Sequence, residues 1–200
     1  MKYFINCGDV FHRNIVNQEL VADIQRVCQK LQDNKIETYF IVGNHDEIAQ
    51  KGRTNSLTTI KTVSNWDYIN VIEKPTFINV GGNKYFFFCP HTSRSKHDGI
   101  APDELVLKVW KEADKSIEEV IVFTHAEVKG AVSGAENIML ANKSFTIPIK
   151  LINDERIKKV FCGHIHKYQE IGNKVVIIGA PVYVDASEVN DKKGVLIYNF

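Results

Sequence analysis

The sequence has no apolar run approaching the roughly 20 residues that a membrane-spanning helix needs, which argues against a helical membrane protein. The apolar stretch after Met1 is too short for a signal peptide and runs straight into Gly8-Asp9. The expectation is a cytoplasmic protein with no membrane partner. Cysteine is sparse: Cys7, Cys28, Cys89 and Cys162 stand singly, without a C-x-x-C pair. That disfavours a disulfide framework and a cysteine zinc site, and leaves buried structural thiols as the reading. An excess of one charge is also missing. Lys and Arg total 25 against 24 Asp and Glu, so a net charge of +1 gives no global basic signature for nucleic acid. A cleft can still be locally positive on a neutral protein.

No low-complexity tract, internal repeat or linker divides the chain. With 44% hydrophobic and 24% charged residues over 200 positions, it reads as one globular domain spanning 1–200. Short apolar runs at 3–7, 38–42, 69–72, 76–79, 84–89, 119–124 and 157–162 predict strands. Three antiparallel strands are expected at 167–171, 174–179 and 194–199, and the run 69–89 reads as a meander or hairpin. Helices are expected at 15–33, 103–115 and 147–154, with a weaker pattern at 54–64. In the first, Ile15, Leu20, Ile24, Val27, Cys28 and Leu31 fall at helical spacing. Residues 126–145 lack periodicity and read as a loop. The sum is an α/β domain that becomes β-rich at its end.

Against this map the polar residues show one regularity. The strand at 3–7 ends in Gly8-Asp9, that at 38–42 in Gly43-Asn44-His45-Asp46, that at 119–124 in His125, and that at 157–162 in Gly163-His164-Ile165-His166. In open α/β sheets, sites are assembled at that strand edge. The glycines allow sharp turns or unusual backbone angles at the strand exits. Carboxylate, amide and imidazole together suit a divalent transition ion. His164 and His166, two apart in an extended segment, can face one cavity. A lone histidine at a strand end is more often structural than a ligand, and Gly-Asn-His-Asp alone could be a turn. Four such coincidences at strand exits favour a metal site.

These segments, in this order and spacing, resemble the second to fifth motifs of calcineurin-like metallophosphoesterases, over nearly the whole chain. The form Gly8-Asp9-Val10-Phe11-His12, with the ending Gly179-Ala180-Pro181 and Asp185, resembles the branch of SbcD-type DNA repair nucleases and phage recombination endonucleases. The resemblance implies a four-layer α/β/β/α sandwich of two mixed sheets. It implies a hydrolase of phosphodiesters in DNA that uses divalent metal, with Mn2+ the first choice. It also implies an ATPase subunit of the SbcC type as partner, and leaves a homodimer open. Carried over by position, Asp9 would bridge two metals, Asn44, His125 and His164 would complete one sphere, and His166 would belong to the other. His45 would act on the scissile phosphate with Asp46 orienting its imidazole, and His12 would lie close to substrate. Arg94, in a basic hydroxyl-rich loop, is a further candidate for a phosphate contact.

The sequence departs from the family pattern in one respect. The first motif, Asp-x-His on an N-terminal strand, is not found, so the expectation is a domain lacking its first strand and truncated at both ends. One metal sphere would then be complete and the second poor. Two other readings stand beside the nuclease: a phosphoesterase acting on a small nucleotide or a phosphoprotein, and a non-catalytic scaffold with the same fold.

Overall fold

The computed structural model describes residues 3–13, 15–48, 55–63, 65–132 and 145–200. Among these residues nine strands form two sheets. The first holds β1 (Tyr3–Asn6), β2 (Glu37–Ile41) and β3 (Ile69–Ile72), all parallel. The second runs β4 (Thr76–Gly81), β5 (Lys84–Cys89), β6 (Glu119–Thr124), β7 (Ile157–Cys162), β9 (Val175–Ile177) and β8 (Gln169–Ile171) in spatial order. It is parallel from β5 to β9, with antiparallel strands at both edges. Only this second sheet is mixed; the expectation of two mixed sheets is corrected by the parallel pairing of β1, β2 and β3.

Alternation along the strands decides the layering, because successive side chains point to opposite faces. In β5, Phe86 and Phe88 enter one cluster with Tyr39, Ile41 and Ile72 of the first sheet, while Phe87 and Cys89 enter another. The second cluster packs against Val106 and Trp110 of α3 (Pro102–Glu112) and Leu151 and Ile152 of α4 (Ile149–Ile152). On the far side of the first sheet, Phe40, Val42, Ile69 and Val71 pack with Cys28 of α1 (Gln18–Asp33) and Ile60 of α2 (Thr58–Val63). Three apolar clusters therefore separate four layers, α/β/β/α. Each fully buried phenylalanine contributes roughly 1.5–3 kcal/mol of burial free energy. The cysteines are free and buried, and burial pushes the thiols of Cys28 and Cys162 up to about 11, which leaves them inert at neutral pH.

Three sequence expectations differ from the fold. Helix α1 begins at Gln18, where Asn17 accepts a hydrogen bond from the Leu20 amide, and only Ile24, Cys28 and Leu31 of the expected stripe pack inward. Ile15, Leu20 and Val27 are exposed. Strand β3 joins β2 rather than a meander, since Lys74-Pro75 carries the chain from one sheet to the other. Residues 194–199 form no strand. Tyr198 packs on Phe161 and Phe200 on Phe86, while Val195 and Ile197 face solvent. The apolar alternation there sets which side chains turn inward, but a strand also needs a backbone neighbour to pair with. Most of the predicted 126–145 loop lies outside the described residues; its ends are joined by a bridge between Glu127 and Thr146.

Candidate metal centre

Strands β1, β2, β6 and β7 all run toward one edge, so their exits bring Asp9, Asn44, His125 and His164 together. The His91 amide donates to the Val42 carbonyl at 2.8 Å and ties the two sheets at this edge. Nδ1–H of His125 donates to the Cys7 carbonyl at 2.7 Å, since a carbonyl can only accept. That bond fixes the tautomer and leaves Nε2 of the neutral ring as a lone pair. Around this atom lie Asn44 Oδ1 at 2.9 Å, His164 Nδ1 at 3.2 Å and Asp9 Oδ2 at 3.2 Å. His164 Nδ1 can donate to that lone pair, but the two oxygens repel it unless a proton or a cation stands among them.

The electrostatics carry the same signature. Burial opposes charge on Asp9, yet His125 and the His45 amide, 2.9 Å from Oδ1, hold its carboxyl well below the usual range. Burial alone would make His125 less basic, but Asp9 and the Cys7 carbonyl raise it above its ordinary value, as groups arranged to favour positive charge at this point would. Burial and the neighbouring His125 push His164 down to about 3, and its Nε2 is buried without a hydrogen-bond partner among the described residues. Asp9, His125 and His164 form the cluster of ligand-type groups that can hold an ion, with donor atoms within 4.8 Å of one another. Carboxylate and imidazole donors, an added amide oxygen and an orphaned buried nitrogen fit a divalent transition cation.

Glycine at the strand exits is required by space as much as by conformation. Gly8 has φ 104°, and a Cβ there would sit 2.1 Å from His125 Nδ1. At Gly43 a Cβ would fall 2.1 Å from Asp9 Oδ1, and at Gly163 2.4 Å from the Cys7 carbonyl oxygen. Neither Gly43 nor Gly163 has positive φ, so the expected unusual backbone angle applies to Gly8 alone of the three. Asp9 itself has φ 54°, a strained value for a residue with a side chain. Replacing Gly8 with alanine is expected to displace the His125 ring and destabilise the fold by about 2–3 kcal/mol. Urea denaturation with a cation titration of the same sample measures both effects.

The Gly43-Asn44-His45-Asp46 segment divides its labour differently from the sequence expectation. Asp46 is fully buried and accepts from the amides of Val10 (3.3 Å), Phe11 (3.1 Å) and Gly43 (3.0 Å), and from the Ser56 hydroxyl (3.3 Å). It does not orient His45. The His45 ring donates from Nδ1 to the His12 carbonyl at 2.9 Å and stacks on the His12 ring at 5.2 Å. Asp46 instead clips the Asp9 loop to the Asn44 loop. Burial raises its carboxyl, with Asp9 adding to the rise and the Gly43 and Phe11 amides opposing it.

Two carboxylates escaped the sequence reading. Buried Glu47 lies 2.9 Å from His91 Nδ1, accepts the Ser93 amide at 3.0 Å, and meets Lys96 Nζ at 3.7 Å. It anchors the loop that carries Arg94, which is itself exposed at the start of a 3-10 turn, Arg94–Lys96. Glu188, also buried, accepts from His166 Nδ1 at 2.8 Å. His166 lies outside the Asp9–His125–His164 cluster, though near enough to His164 for its charge to lower that ring's basicity. Adjacency to Gly-Asn-His-Asp was a signal for Glu47; nothing in the local sequence marks Glu188.

The family model for calcineurin-like phosphoesterases matches residues 2–168. The chain therefore belongs to the calcineurin-like phosphoesterase family, whose members are metal-dependent hydrolases. A search of curated proteins finds no match. One solved crystal structure aligns over 82% of this chain and 68% of its own, at 13% identity and a TM-score of 0.45. Among the described residues no helix is long and apolar enough to cross a membrane.

Proposed function

We propose that this chain is a cytoplasmic phosphodiesterase acting on DNA, the nuclease subunit of an SbcC-partnered repair or recombination complex. The observation that carries the reading is the convergence of Asp9, Asn44 and His164 on His125 Nε2, with half-buried His45 beside them. Asp9, Asn44, His125 and His164 would hold the ion, with His166 alongside, and Mn2+ suits this mixture of oxygen and imidazole donors. When bound, such an ion supplies neutralisation of phosphate charge and a lowered pKa for the attacking water.

The chain's own groups do the positioning. The Cys7 carbonyl keeps His125 Nε2 turned to the centre, and the His12 carbonyl engages His45 Nδ1. That leaves His45 Nε2 as the free ring nitrogen, and in the imidazolium form the ring would give its Nε2 proton to the leaving oxygen of the ester. Exposed His12 and Arg94 offer contacts to further phosphates. Support for DNA comes from the Gly8-to-His12 form and these exposed groups. The net charge of +1 favours a second reading, a small phosphodiester substrate.

Incubation with linear duplex DNA, single-stranded DNA and bis(p-nitrophenyl) phosphate, each with Mn2+ or excess chelator, separates the readings. Chelator-sensitive cleavage of DNA is the expected result. Hydrolysis of the small diester alone would move the assignment to the second reading. No hydrolysis of any substrate, with Mn2+ bound, would leave a scaffold.

A further inference from the structure

Beyond β9 the chain returns to the site through residues 178–193, and it does so with a buried charged pair. Glu188 ends a 3-10 turn, Ala186–Glu188, opened by Asp185, which accepts the Ser187 amide at 2.8 Å. One carboxylate oxygen of Glu188 meets His166 Nδ1 at 2.8 Å. The other accepts from Lys193 Nζ at 2.7 Å and the Val184 amide at 3.1 Å. Lys193 Nζ also reaches the His166 carbonyl at 3.2 Å, and both side chains of the pair are more than nine-tenths buried. A buried Glu–Lys pair is not a cheap way to stabilise a fold, because apolar residues of similar volume commonly do as well. Its placement is specific: both members of the pair reach one histidine, Glu188 at the ring and Lys193 at the carbonyl.

We infer that Glu188 is a positioning residue for His166, fixing the ring with its proton on Nδ1 so that Nε2 carries the lone pair. A carboxylate behind a ligating imidazole serves this purpose at many metal centres. The carboxylate can only accept from Nδ1–H, so it selects the tautomer opposite to the one free imidazole prefers. Lys193 compensates the charge and holds the Glu188 carboxylate in place. The effect on metal binding rests on the proposed role of His166 as a ligand; the tautomer does not.

The test therefore has two readouts. Long-range 1H–15N correlation spectra of the metal-free protein at pH 8 report the tautomer of His166, and calorimetry reports Mn2+ affinity. The wild-type ring is expected as the Nδ1–H form. In Glu188→Ala the population is expected to shift toward Nε2–H, with Mn2+ affinity weakened about 10- to 100-fold. Glu188→Gln keeps the size, but its one oxygen is claimed by the Lys193 and Val184 donors, so its NH2 group faces His166 and the ring is expected to shift to the Nε2–H form as in Glu188→Ala. An Nε2-protonated His166 in the wild type, or an undisturbed tautomer in folded Glu188→Ala, overturns the inference. Where Glu188→Ala does not fold, the wild-type and Glu188→Gln spectra decide. A wild-type protein that binds no Mn2+ but holds the Nδ1–H form would refute the metal reading and leave the role of Glu188 standing.

Discussion

Asp46→Ala is expected to destabilise the protein by about 3–5 kcal/mol and to abolish cation binding with it. Three backbone amides, those of Val10, Phe11 and Gly43, lose their acceptor together. Each buried donor left unpaired costs about 1–3 kcal/mol, partly offset by water entering the space of the lost carboxylate. Since a domain's total stability is about 5–15 kcal/mol, the loss takes a large share of it. The melting temperature should fall by roughly 10 °C or more for a chain of this size. Asp46→Asn should do little better, because its NH2 group would face backbone donors where an oxygen now accepts. The functional effect follows from geometry. The clip holds the loop bearing Asp9 against the loop bearing Asn44, two of the groups around His125 Nε2. Urea titration of the two variants beside the wild type measures it. A change below about 1 kcal/mol, with cation affinity intact, would show that the two loops hold their positions without Asp46.

How far such a role was legible in the sequence depends on which physical signal reports it. Strand exits were legible because apolar runs end abruptly in Gly-Asp, Gly-Asn or His, and parallel strands then carry these residues to one edge without further information. The site's convergence is thus a consequence of topology that strand direction alone determines. The roles of individual groups were less legible. Asp46 sits next to His45 in sequence, which suggests a histidine–carboxylate pair, but neighbouring residues on a tight turn point different ways. The ring partner is a carbonyl 33 residues away. Glycines gave the same kind of half-signal. Their presence marks the exits, yet only the folded chain shows that Gly43 is held by lack of space beside Asp9 rather than by its backbone angle. Glu188 was not legible at all. Its surroundings are largely exposed apolar residues, including Val182, Tyr183 and Val189, and its burial arises from contacts with His166 and Lys193. The alternation at 194–199 misled for a related reason: face preference is local, whereas a ladder needs a neighbour that the sequence of the strand itself does not specify.

His45→Ala and His164→Ala are expected to separate chemistry from cation binding. His164 is buried, with Nδ1 3.2 Å from His125 Nε2 and no partner for Nε2 among the described residues. Burial and the adjacent His125 keep it neutral at physiological pH, the state in which imidazole donates a lone pair. Removing it should weaken Mn2+ affinity at least about 10- to 100-fold, with turnover falling in parallel at fixed Mn2+. His45 stands differently. Its ring is half-buried, its Nδ1 is engaged by the His12 carbonyl, and it contributes no atom to the cluster around His125. What touches that cluster is its backbone amide, which donates to Asp9 and is retained when the side chain is truncated. His45→Ala should therefore leave Mn2+ affinity within about threefold of wild type and lower turnover about 100-fold or more, the scale of a lost general acid. A substrate with a good leaving group, such as a p-nitrophenyl ester, needs little protonation of the departing oxygen. The His45→Ala deficit should shrink on that substrate, while the His164→Ala deficit should not. Equal loss of Mn2+ in the two variants, or an equal deficit on good and poor leaving groups, would remove the proton-donor role from His45.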